Sequence, residues 1–304
     1  MTYFLNKNLD SNTILITGAS GLLGHHLSRF FLENGNKVIA LRKTHSLGII
    51  GLDEIEIDLL DFNTVKNLLT KIGPDYIIHC AGLTNVDDCE KNESLAKKIH
   101  IDVSQIIAQT ASRINSKMIH ISTDHLWDGT MQMVTEDVPV CPLNVYGKTK
   151  AESERAVLAV NSEALILRTN FFGPGLQWRQ SLSDWIINSL NRNEKINAFS
   201  DVFFTPISIY HLARVILFLI QKKAKGIYHT VGSERISKYD FAISIAKSFN
   251  KSTELIRPIS IQNIQFNALR PLDMSLSTDK IVGFLNVSMP TVQAGIDSLS
   301  GEFR

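Results

Sequence analysis

The sequence is short of net charge. Its 304 residues carry 31 Lys and Arg against 30 Asp and Glu, a formal balance of +1. Such a surface lacks the field that draws a protein onto nucleic acid or an anionic membrane, so neither partner is expected. Long apolar runs are missing too. A membrane helix needs roughly 18 consecutive apolar residues, whereas the best run, Val215 to Ile220, stops after six and follows Arg214. Cysteine is scarce: Cys80, Cys89 and Cys141 form no CxxC pair, and the odd count argues against a disulfide framework. His79, His120, His211 and His229 are scattered without metal-ligand spacing, so no metal is expected. Met1 to Asn12 holds Lys7 but neither an apolar run nor a small-residue cleavage site, and does not read as a signal peptide. A reducing cytoplasmic setting fits best.

What is present is globular in character, with 44% apolar and 20% charged residues. Short β-rich runs alternate with amphipathic stretches. Strands are expected at Thr13–Thr17, Lys37–Leu41, Ile55–Ile57, Tyr76–Ile78, Lys117–Ile121 and Ala164–Leu167. Helical spacing runs from Leu22 to Phe31, Asn63 to Leu69, Ser94 to Ala111 and Ala151 to Val160. Strand, helix, strand in repetition means parallel strands joined by crossover helices, an α/β, doubly wound, Rossmann-like sheet. From Phe171 to Ser200 the pattern loosens. A strand and helix return at Pro206–Ile220 and a strand at Gly226–Val231, so 205–232 is expected to rejoin the domain of residues 1–170. Residues 171–204 and 233–304 are then left as a smaller lobe.

Thr17-Gly18-Ala19-Ser20-Gly21-Leu22-Leu23-Gly24 lies between the first strand and the first helix. Gly18 permits a tight turn, Gly21 lets backbone N–H groups reach a pyrophosphate at the helix N-terminus, and Gly24 permits close helix packing. At the end of the second strand, where a carboxylate would bond ribose hydroxyls, stand Arg42 and Lys43. Two cations there would attract a 2′-phosphate, which favours NADP(H) over NAD(H). Cys80-Ala81-Gly82, with Thr84 close behind, offers small residues against which a cofactor can lie.

Tyr146 and Lys150 are four apart and share a helical face. A free phenol titrates near ~10, and an ammonium beside it is expected to lower that value. A third member, a hydroxyl to hold a substrate carbonyl, is available at the end of the strand Lys117–Ile121 as Ser122 or Thr123. Asp124 and His125 suggest a hydrolase triad, but no GxSxG elbow exists, and neighbours on an extended segment point to opposite faces.

The glycine turn resembles the TGxxGxxG of extended short-chain dehydrogenases/reductases. The wider text resembles their dTDP-4-dehydrorhamnose reductase subfamily: Thr84-Asn85-Val86-Asp87-Asp88-Cys89-Glu90, Ser122-Thr123-Asp124, Pro142-Leu143-Asn144-Val145-Tyr146-Gly147-Lys148-Thr149-Lys150, Leu167-Arg168-Thr169, and Arg270-Pro271. The resemblance runs nearly end to end and is strongest over 13–172. It implies Thr123, Tyr146 and Lys150 as the catalytic group and Asp58-Leu59 as an adenine contact. It also implies a nucleotide-sugar substrate in the smaller lobe, and a homodimer is common among such enzymes. Asp124, Asn170 and Phe171 would face the sugar. Trp178, Arg179 and Trp185 are further candidates, with Phe203 and Phe204, and Arg270 would pair with the diphosphate. His125, Leu126 and Trp127 stand where the family has tyrosine, valine and phenylalanine, and Asn170-Phe171-Phe172 departs from its aromatic-rich segment. The implied activity is reduction of a 4-keto sugar nucleotide. The alternatives are an epimerase or dehydratase on the same scaffold, and a non-catalytic NADP-binding regulatory subunit like that of methionine adenosyltransferase.

Overall fold

A computed structural model describes residues 11–302, so the first ten residues of the stretch examined for a signal peptide lie outside it. The chain begins β1 (Thr13–Thr17), α1 (Leu22–Glu33), β2 (Lys37–Arg42), β3 (Asp53–Glu56), α2 (Phe62–Ile72) and β4 (Tyr76–His79). Leu23, Leu27 and Phe31 put one stripe of α1 into the core. Asp61 caps α2 by accepting from the Thr64 N–H, and Gly73 ends it in the left-handed conformation. Next come α3 (Val86–Lys91), α4 (Glu93–Lys97), a π-helical turn (Lys98–Asp102), α5 (Val103–Arg113) and β5 (Lys117–Ile121). The helix expected from Ser94 to Ala111 therefore carries a π turn in its middle, a local widening that pattern reading does not register.

After a long connection follow α6 (Val145–Val160), β6 (Leu165–Arg168), β7 (Phe171–Phe172), α7 (Leu182–Asn191), β8 (Ile196–Phe199), β9 (Phe203–Phe204) and β10 (Ile207–Ser208). The loosened stretch thus holds a helix after all. Ser181 and Asp184 form a reciprocal capping box at its start. The chain closes with α8 (Ile209–Gln221), β11 (Gly226–His229), β12 (Ile236–Ser237), α9 (Lys238–Ser248), β13 (Ile256–Ile259), α10 (Asp279–Leu285) and α11 (Val292–Glu302).

Seven strands form one sheet in the order β11-β6-β5-β4-β1-β2-β3, and every pairing in it is parallel. Helices cover both faces. Leu23, Leu27, Phe31, Leu212 and Ile216 pack on one, and Val65, Leu69, Ile107, Ala111 and Val157 on the other. Burial on both faces is why these strands read as apolar runs rather than alternations. A separate core joins α7, α9 and α11 to the short strands. There Phe241 meets Phe172 and Phe204 edge to face, at centroid separations of 4.9 and 5.4 Å. One detail departs from the expected division: Ile281 and Leu285 of α10, in the 233–304 segment, pack into the first face of the large sheet. Among the described residues no helix is long and apolar enough to cross a membrane.

Candidate active site

The order in which successive strands are laid down reverses between β1 and β4, which opens a crevice at the carboxyl ends of the parallel strands. A cavity of about 890 Å³ lies there. Gly18 turns the chain out of β1 at φ +65°, and a Cβ on it would lie 2.7 Å from the Ala81 backbone. No larger residue allows the turn to sit against the end of β4. Gly21 caps α1 without any side-chain bond, and Gly18, Ser20, Gly21, Leu22, Leu23 and Gly24 all line the cavity. An uncapped helix N-terminus behind a bare glycine turn fits a dinucleotide pyrophosphate. Ala81, Gly82 and Thr84 after β4, and Asp58 and Leu59 after β3, line it too.

Arg42 and Lys43 also border the cavity, but their charges are engaged. Arg42 bonds Glu54 at 3.0 Å and Glu56 at 2.8 Å, and Lys43 bonds Asp58 at 2.8 Å. The two cations expected to attract a 2′-phosphate are therefore each paired with a carboxylate, of β3 or of Asp58 two residues beyond it.

Thr123, Tyr146 and Lys150 share one wall of the same cavity. Asn144 starts α6 by accepting from the Gly147 N–H at 2.9 Å. A Cβ at Gly147 would come within 2.2 Å of the His125 carbonyl oxygen, so glycine is what lets the 122–125 turn close over Tyr146. Burial pushes the Tyr146 phenol up to about 12, against a lowering hydrogen bond from Thr123. Contrary to the expectation from the sequence, Lys150 is not among the groups that lower it. The Lys150 ammonium is drawn instead to the Ile121 carbonyl at 2.8 Å, and Thr123, Asp124 and Cys89 are the groups that act on the phenol. Burial also brings Lys150 down to about 8, against the opposing pull of Glu154 and Cys80.

Between the two hydroxyls at the end of β5, the geometry distinguishes roles. Ser122 donates to Glu154, which is locked to Arg168 in a buried ion pair at 2.7 Å. Thr123 is left beside the phenol, its hydroxyl otherwise donating to Asp124 and accepting from the His125 N–H, both at 3.3 Å. Asp124 accepts from Asn170 at 2.5 Å. Both Asp124 and His125 line the cavity. The segment is a turn rather than an extended strand, so the opposite-faces reasoning does not apply to it.

Two histidines that sequence reading left without a role hold the Tyr146 ring. His100 and His125 meet it edge to face at 5.7 and 5.6 Å. His100 sits in the π turn and bridges Thr149 at 2.8 Å and the Leu83 carbonyl at 3.0 Å. Burial, with Lys150 nearby, lowers it to about 3, so it is neutral. No sequence signal marked it, because the π turn alone aims it at α6.

Of the candidate substrate contacts, Asp124, Asn170, Phe171, Trp178 and Arg179 line the cavity, whereas Trp185 and Arg270 do not. Trp185 is 38% exposed on α7. Asp87 holds the Arg270 guanidinium at 2.9 Å and also accepts from the Ala268 N–H at 3.0 Å. Arg270 is thereby a strut between α3 and the 268–270 segment. Phe203 lies under Arg235 and Phe204 under Lys238, at 3.7 and 3.2 Å, both away from the cavity. The cysteines are all free thiols; burial raises Cys80 to about 12 and Cys89 to about 11. Among the described residues no group of three or more His, Cys, Asp or Glu side chains could hold a metal ion.

A glycine-turn crevice with Thr, Tyr and Lys on one wall defines an extended short-chain dehydrogenase/reductase. Over residues 12–304 the sequence matches the family described as RmlD substrate binding domain, and the chain belongs to that family. It is 31% identical over 282 residues to methionine adenosyltransferase 2 subunit beta of Xenopus laevis, covering 90% of this chain and 82% of that protein. It is 29% identical over 281 residues to dTDP-4-dehydrorhamnose reductase of Aggregatibacter actinomycetemcomitans, covering 88% and 91%. The solved structure of a hypothetical dTDP-4-dehydrorhamnose reductase from Sulfolobus tokodaii superposes with TM-score 0.81 at 32% identity, covering 92% of this chain and 97% of the other.

Proposed function

We propose that the chain reduces the 4-keto group of a nucleotide-activated 6-deoxyhexose with NADPH, in the cytoplasmic supply of cell-surface polysaccharide precursors. NADH is the alternative donor. In this reading residues 1–170 and 205–232 hold the dinucleotide, and 171–204 with 233–304 receive the sugar nucleotide. The observation that carries it is the presence of Thr123, Tyr146 and Lys150 on one wall of the cavity that the glycine turn opens. The bound dinucleotide supplies the hydride. Thr123 hydrogen-bonds the ketone oxygen and holds the carbonyl in line. Tyr146, raised to about 12 by burial, keeps its proton at neutral pH and delivers it to the C4 oxygen as negative charge develops there. Lys150, one turn along the helix and bonded to the Ile121 carbonyl, would bond the nicotinamide ribose hydroxyls and hold the ring in place. Asp124 and Asn170, bonded to each other, offer polar groups to the sugar hydroxyls.

A second reading, a regulatory subunit that binds NADP without turnover, is favoured by the likeness to methionine adenosyltransferase 2 subunit beta. An NADPH oxidation assay across a panel of 4-keto nucleotide sugars separates the two. Oxidation only when such a sugar is present supports the reductase. Binding of NADPH without oxidation on every sugar supports the regulatory role. Protein that carries tightly bound NAD and converts sugar without added NADPH is instead an epimerase or dehydratase.

A further inference from the structure

The segment between β7 and α7 reaches out of the smaller lobe and across the cavity. Leu176 and Arg179 bond each other's backbone in both directions, at 2.8 and 3.0 Å, so residues 176–179 form a tight hairpin with Gln177 and Trp178 at its tip. Its base is anchored on α7. Ser183 donates to the Gly173 carbonyl at 2.7 Å, and Gly175 lies so close to Asp184 that a Cβ there would sit 1.8 Å from the carboxylate.

The tip is fastened to the opposite side, on the residues expected to hold the cofactor. The Trp178 indole N–H donates to the Ser20 carbonyl of the glycine turn at 2.9 Å. Its ring stacks on His45, just beyond β2, at 5.0 Å and 20°, and meets His25 of α1 edge to face. Arg179 donates to the Thr84 hydroxyl, after β4, at 2.8 Å. His26 Nε2 lies 2.9 Å from the Pro174 carbonyl. Ser20 and Thr84 follow β1 and β4, the two strands that flank the switch point where a pyrophosphate belongs. Trp178 and Arg179 both border the cavity. Arg42 and Lys43 are paired with carboxylates, whereas Arg179 has, among the described residues, no carboxylate partner and only the neutral Thr84 hydroxyl.

We propose that the 173–181 hairpin is a clamp over the dinucleotide. Arg179 supplies the cation for its phosphates, and Trp178 latches the hairpin to the glycine turn so that the latch must open before the cofactor leaves. This assigns Trp178 and Arg179 to the cofactor rather than to the sugar, and it rests on the dinucleotide-binding reading above. The indole bond, the ring stack and the Arg179 bond must break together for the hairpin to lift, which makes release slow relative to an open crevice.

The test is stopped-flow dissociation of NADPH from the full chain, chased with excess NADP⁺ and followed by nicotinamide fluorescence. Trp178→Ala is expected to speed release at least about tenfold. Trp178→Phe, which keeps the stack on His45 but loses the bond to Ser20, should fall between the two. Arg179→Ala should weaken binding and flatten its salt dependence, with partial recovery in Arg179→Lys. Trp178 is half-buried and Arg179 exposed, and equal melting temperatures across the set will show that the fold is kept. Unchanged release rates in both alanine variants would overturn the clamp while leaving the oxidoreductase reading intact. Failure of the unmodified chain to bind either NADPH or NADH would overturn that reading and the clamp with it.

Discussion

On the strand side of the cavity, Gly18, Asp58, Ala81 and Thr123 each stand within a few residues of the end of a parallel strand, whereas on the lobe side Trp178 and Arg179 arrive on a hairpin that belongs to no strand of the sheet. The first wall is held by the sheet itself, whose register places every strand end at one edge. The second is held by individual side-chain bonds to Ser20 and Thr84. Chemistry that tolerates little displacement therefore belongs on the strand wall, and selectivity or release on the lobe wall. Variants on the two walls should differ in kind.

The largest effect is expected on the strand wall. Tyr146→Phe removes the proposed proton donor and should lower the reduction rate by about 10²–10⁴-fold, while NADPH titration stays close to that of the unmodified chain; equal turnover would remove Tyr146 from the mechanism. Gly147→Ala should act next, because its Cβ meets the His125 carbonyl at 2.2 Å. Calorimetry should register a loss of about 1–3 kcal/mol of stability, accompanied by reduced turnover as Tyr146 is displaced. The pH profile follows. With Lys150 lowered to about 8, its charge is present below that pH and lost above it, so reduction at saturating substrate should fall about tenfold by pH 9. Lys150→Arg should carry the alkaline limb upward, and an unshifted limb would assign it elsewhere.

Smaller effects are expected where side chains only border the site. Glu54→Gln with Glu56→Gln releases Arg42 from its two carboxylates and should raise the preference for NADPH over NADH a few-fold in parallel KM measurements. No change would place cofactor choice in other residues. Trp185→Ala should leave cofactor and sugar-nucleotide KM values unaltered, because this exposed ring lies outside the cavity; a raised sugar KM would restore it as a contact.

Much of this contrast was legible beforehand, and the boundary of legibility has a physical basis. The glycine turn, the strand ends and the Tyr146–Lys150 spacing are short-range patterns, each set by a steric or helical requirement inside a few residues. Reading failed where a contact joins distant segments. Arg270 was assigned to a diphosphate, but Asp87 holds it. Lys150 was expected to act on Tyr146, yet the Ile121 carbonyl draws its ammonium away. His100 had no role until a π turn aimed it at the phenol. The helix Leu182–Asn191 was missed although its Ser181–Asp184 capping box stands in the text.

By itself the sequence determined that this chain is a doubly wound α/β protein with a glycine turn between its first strand and first helix and a phenol–amine pair on one helical face, because apolar periodicity and glycine sterics act locally along the chain. Tertiary structure alone decided which cations remain available, which rings enclose Tyr146, and that a hairpin from the second lobe spans the cavity. Those outcomes depend on charges and hydrogen bonds between residues far apart in sequence, and only folding sets their separations.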